Sequence, residues 1–85
     1  MSVSIEKALI HSNFYEIENT PHMLKYARYN NIISQFIIQY ISQTKKWEIS
    51  FPLNNDNFNY KTSFDNYKKL VPYALERISE FKKLK

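Results

Sequence analysis

The sequence predicts a helix-dominated α+β domain in the order α-α-β-β-α, with one antiparallel β-hairpin packed on the helices. Three observations predict it. Apolar residues recur at spacings of three and four from Phe64 to Phe81, and again from Tyr26 to Ile41. Two segments near residues 46–53 and 58–64 alternate strictly between apolar and polar. Between those two lies Asn54-Asn55-Asp56-Asn57, composed entirely of turn formers.

A first helix is expected over about residues 3–13. Ser4 can cap it, Glu6 suits the positive end of its dipole, and Ile5, Ala8 and Leu9 form one apolar stripe. It should end near Ser12-Asn13. Residues 14–19 read as a connection. Thr20-Pro21 then reads as the start of a second helix, because Thr accepts from a free first-turn amide and Pro at the first helical position loses no hydrogen bond. Tyr26, Tyr29, Ile33, Phe36 and Tyr40 carry its apolar rhythm, with a kink or break at Asn30-Asn31. A strand over 32–41 fits less well, since it leaves Gln35 and Gln39 on one face and Ser34 on the other.

In the hairpin, Trp47, Ile49, Phe51 and Leu53 share one face. Pairing Leu53 with Phe58 sets Phe51 opposite Tyr60, Ile49 opposite Thr62 and Trp47 opposite Phe64, so a single register satisfies every position. Pro52 lacks an amide to donate, which predicts that its strand is an edge. The last helix carries Phe64, Tyr67, Val71, Ala74, Ile78 and Phe81 on its apolar stripe, with Ser63 or Asp65 as cap and a kink near Pro72.

Eighty-five residues supply one core and so one domain, residues 1–85. Seven Tyr, six Phe and one Trp provide more burial than a disordered chain contains. The chain has no Cys, which excludes disulfides, thiolate metal sites and thiol nucleophiles. It has no Gly either, so phosphate-cradling loops, dinucleotide fingerprints and nucleophile elbows are unsupported, and Asn must serve the tight turns. The start of the chain lacks the basic and apolar regions of a signal peptide, and the densest apolar stretch, 32–41, is interrupted by Ser34, Gln35 and Gln39. A cytoplasmic protein with no membrane partner is expected.

His11 and His22 lie on different predicted elements without ligand spacing, and Glu76 with Glu80 occupies a solvated helix face beside Arg77. Neither pattern builds a metal site or an acid–base pair. The expectation is a non-enzyme with no cofactor.

Charge is the more informative signal. The net charge is +4 and the isoelectric point is near 9.3, while the only charges between Asn19 and Trp47 are Lys25, Arg28, Lys45 and Lys46. On one helix, Lys25, Arg28 and Tyr29 would form a phosphate-binding face, with Tyr29 stacking on a base and Lys61, Lys68 and Lys69 extending the surface. A lone basic domain of this kind is generically similar to small accessory proteins of phages and mobile elements. Some of those inhibit a host defence or nucleic-acid-processing complex, CRISPR effectors among them.

The leading expectation is therefore an inhibitor or modulator, a monomer or small homo-oligomer. It would dock on a protein that handles nucleic acid, presenting Lys25, Arg28, Lys45 and Lys46 to a surface that normally receives phosphates. The alternative is a DNA- or RNA-binding domain of winged-helix type, in which the same residues contact the nucleic acid directly.

Overall fold

The computed structural model describes residues 4–30, 32–52 and 59–83. It is a five-stranded antiparallel sheet with two helices on one face, and the expected helix-dominated α-α-β-β-α order is incorrect. The elements are α1 (Ile5–His11), β1 (Tyr15–Thr20), β2 (Met23–Asn30), β3 (Ile32–Ile41), β4 (Lys46–Pro52), β5 (Asn59–Phe64) and α2 (Tyr67–Lys83). The strands pair in sequence order, each with the next.

The second helix is thus replaced by two strands, β2 and β3, and the expected connection before it by β1, for identifiable reasons. Thr20-Pro21-His22-Met23 is a tight turn between paired Thr20 and Met23, where Pro presets the φ of the first turn residue. In place of the expected kink or break in a helix, β2 ends and β3 begins with Asn30 and Ile32 paired to each other. Ile-rich β3 fits a pleated surface because its β-branched side chains are stiff at χ1. Its alternation places Phe36, Ile38 and Tyr40 under the helices and Gln35, Ile37 and Gln39 on the opposite face. Two Gln on one face argue for an open sheet face rather than against a strand.

The hairpin register is the expected one, with Trp47 opposite Phe64, Ile49 opposite Thr62 and Phe51 opposite Tyr60. The expected Leu53–Phe58 pair and the turn at 54–57 lie outside the described residues. β4 is not an edge, because it also pairs with β3; the edges are β1 and β5. Pro52 is the last residue of β4, where it does not interrupt the ladder.

The core lies between sheet and helices. Ile5 and Leu9 of α1 and Leu70, Ala74, Ile78 and Phe81 of α2 close over Leu24, Tyr26, Phe36, Ile38, Ile49 and Phe51. Phe14, Phe36, Phe51 and Phe81 form its aromatic centre, with ring centroids 5.7–6.4 Å apart. Glu6 acts electrostatically on Tyr67, and the Ser12 hydroxyl donates to the Ile78 carbonyl at 3.4 Å. The two helices therefore run side by side in the same direction, both starting at one end of the molecule.

Candidate functional site

Local structure decides where the basic residues point. In a helix Lys25 and Arg28 would share a face; three residues apart on a strand, they face opposite ways. Lys25 lies on the open sheet face opposite Ile37. Arg28 is buried at 8% exposure, donates to the Phe81 carbonyl at 3.4 Å near the end of α2 and stacks 5.5 Å from the Phe14 ring. It is a structural residue, satisfying a helix-terminal carbonyl and the negative pole of α2. Tyr29 lies on β2 opposite Ile33, and its side chain is outside the described residues. The expected Lys25–Arg28–Tyr29 face is not formed.

Lys61 sits in the same row of the open face as Lys25, three strands away, or about 14 Å. It pairs with Glu48 at 3.1 Å. The four remaining expected residues lie toward one end of the molecule. Lys45 occupies the β3–β4 turn and Lys46 begins β4, while Lys68 and Lys69 lie in the first turn of α2, whose Tyr67 packs on Trp47. Lys46 also reaches Asp65, but at 4.0 Å between exposed side chains, a contact worth little in water.

At the same end, on the helix side of the sheet and so on the face opposite to the Lys46 side chain, lies a row of rings that the sequence reading did not single out. His22 lies 5.9 Å from Tyr40, Tyr40 lies 5.2 Å from Trp47, and Trp47 lies 4.8 Å from Tyr67. The β1–β2 turn, β3, β4 and the start of α2 each contribute one ring. Trp47 and Tyr67 pack against the margin of the core, and they and Tyr40 stay half-buried while His22 is exposed. The signal available in the sequence was the hairpin register, which already placed Trp47 at the outer end of its strand.

Beside the row opens a cleft of about 400 Å³. Trp47, Tyr67, Met23, Leu24 and Pro21 form its apolar walls, and Glu6, Asn19 and Thr20 supply its polar groups. Burial, followed by the nearby charge of Glu6, pushes the Tyr67 hydroxyl above its ordinary pKa. Lys45, Lys46, Lys68 and Lys69 against Glu6 and Asp65 leave this end of the molecule positive.

Among the described residues no group of three or more His, Cys, Asp or Glu is arranged to hold a metal ion, and no helix is long and apolar enough to cross a membrane. No family model, no curated protein and no solved structure matches the chain.

Proposed function

We propose that this chain is a non-catalytic binding domain that contacts single-stranded nucleic acid at its basic, aromatic end. The observation that supports this reading is the row His22–Tyr40–Trp47–Tyr67, with Lys45, Lys46, Lys68 and Lys69 at the same end of the molecule. Stacking on aromatic rings tolerates any base and is worth about 1–3 kcal/mol per base, while lysines neutralise the backbone beside it. A duplex hides its base faces, so the half-buried rings suit a single strand. A winged-helix domain is not the fold, because β2 and β3 occupy the place expected for a recognition helix.

Docking of these lysines on a protein surface that receives phosphates is disfavoured on electrostatic grounds, since such a surface is itself positive and like charges oppose contact. A modulator of a nucleic-acid-handling protein, of the phage or mobile-element kind, would dock elsewhere. One observation favours that second reading: Ile10, Tyr15 and Ile17 are 58%, 41% and 47% exposed on α1 and the edge strand β1, and such an edge can pair with another chain.

Trp47 is the only tryptophan, so its fluorescence reports directly on the ring row. Single-stranded RNA or DNA is expected to quench it. If each of the four lysines neutralises one phosphate, affinity should fall about 50-fold between about 50 and 200 mM salt. The double variant Lys45→Ala/Lys46→Ala should reduce the logarithmic salt slope by about 1.4. A fluorescence unchanged by every oligonucleotide at low salt would overturn the nucleic-acid reading and leave the β1 edge as the surface to test.

A further inference from the structure

The cleft beside the ring row sets one carboxylate, that of Glu6, against the rings of Trp47 and Tyr67. The Asn19 amide nitrogen donates to Glu16 at 3.1 Å. The Thr20 hydroxyl donates its proton to the Met23 carbonyl at 3.5 Å and retains lone pairs. Glu6 is half-buried, and among the described residues no hydrogen bond or ion pair engages its carboxylate. A ligand that presents donors along one edge to this carboxylate and a flat face to Trp47 and Tyr67 suits the cleft. The volume of about 400 Å³ lies within the range of small-molecule sites and holds one nucleobase with room for its sugar.

Resting on the proposed single-strand binding, we infer that the cleft selects guanine, with the Glu6 carboxylate reading its Watson–Crick edge. Guanine carries two adjacent donors, the ring N1–H and the exocyclic amine, which match both oxygens of one carboxylate. Adenine and cytosine each offer one amine beside a ring-nitrogen acceptor, which would oppose the second carboxylate oxygen. Thymine and uracil offer a single N–H between two carbonyls. A free organic cation would also satisfy acceptors and rings, but the lysines at this end of the molecule oppose its entry, whereas they attract the phosphates of a strand whose base enters the cleft.

The test uses the full chain and thymidine or uridine octamers carrying one central guanine, adenine, cytosine or pyrimidine of the host strand, titrated against Trp47 fluorescence at low salt. Octamers with central guanine should bind roughly tenfold more tightly than the unsubstituted strand. In Glu6→Gln that ratio should collapse toward one, because the amide offers one donor and one acceptor in place of two acceptors. A ratio between octamers is unaffected by a lower folded fraction, so a merely structural role for Glu6 would not change it. Equal affinities for all octamers would overturn guanine selection while leaving single-strand binding intact, and preference for guanine persisting in Glu6→Gln would overturn the role of Glu6. Absence of binding by any octamer would overturn both.

Discussion

The Tyr26 hydroxyl, on a side chain 1% exposed, donates to the Glu16 carboxylate at 3.1 Å, and the Asn19 amide donates to the same oxygen. Burial first, then the hydrogen bond and charge of Glu16, pushes the Tyr26 pKa up to about 12. An unfolded tyrosine ionises near 10, so above that pH the unfolded chain loses a proton that the folded chain keeps. The stabilisation is complete below pH ~10 and is lost as pH rises through about 12. Tyr26→Phe should cost about 1 kcal/mol at pH 8 for the lost hydrogen bond. Urea denaturation should show the wild-type advantage shrinking above pH ~10, and a constant gap to pH ~11 would contradict the assignment. Arg28 belongs to the same buried layer. Arg28→Ala removes a charged donor from the Phe81 carbonyl and a cation from the Phe14 ring, and should cost about 2 kcal/mol, or on the order of 10 °C in Tm. An unchanged Tm would return Arg28 to the surface.

At the scale of elements, the absence of glycine is met by substitutes at the two left-handed positions found among the described residues. α1 starts where Ser4 accepts from the Lys7 amide at 3.2 Å. It ends in a Schellman motif: the Phe14 amide donates to the Leu9 carbonyl at 2.9 Å and the Asn13 amide to the Ile10 carbonyl at 3.0 Å. That geometry requires φ of 70° at Asn13, which Asn tolerates better than other residues with a Cβ. Asn13→Ala should therefore cost about 1 kcal/mol, whereas Asn13→Gly should be neutral or slightly stabilising. Equal thermal midpoints for the two variants would refute this account. Lys45 at φ 56° pays a similar backbone penalty in the β3–β4 turn, at a position where its side chain is presented to solvent beside the ring row. α2 is capped neither by Ser63 nor by Asp65 but by Asn66, which accepts from the Lys69 amide at 3.0 Å.

At the scale of the molecule, what was legible in the sequence was what local physics determines. The caps and stripe give α1, the strict alternation gives the β4–β5 register, and the long three-four rhythm gives most of α2. Residues 21–41 were misread because Tyr26, Tyr29, Ile33, Phe36 and Tyr40 happen to satisfy a helical spacing. Their true partners are long-range: Tyr26 is opposite Glu16 and Phe36, and Tyr40 is opposite Trp47. Propensity yields to such pairing, since a strand is stabilised by its neighbours more than by its own sequence. The site suffered from the same error. A helical reading joined Lys25 to Arg28, while the sheet separates them and brings Lys45 and Lys46 to the start of α2 instead. Lysines at sequence separations above twenty cannot be assembled without the topology.

The parallel course of the two helices has a practical consequence for how the protein is handled. Ser4, the first described residue, caps the helix whose Glu6 lines the cleft, whereas Lys83 ends a helix that runs about 24 Å away from it. A fusion partner or surface attachment at the front of the chain would crowd the ring row. One placed after α2 would hold the molecule by its opposite end and present the cleft to solution.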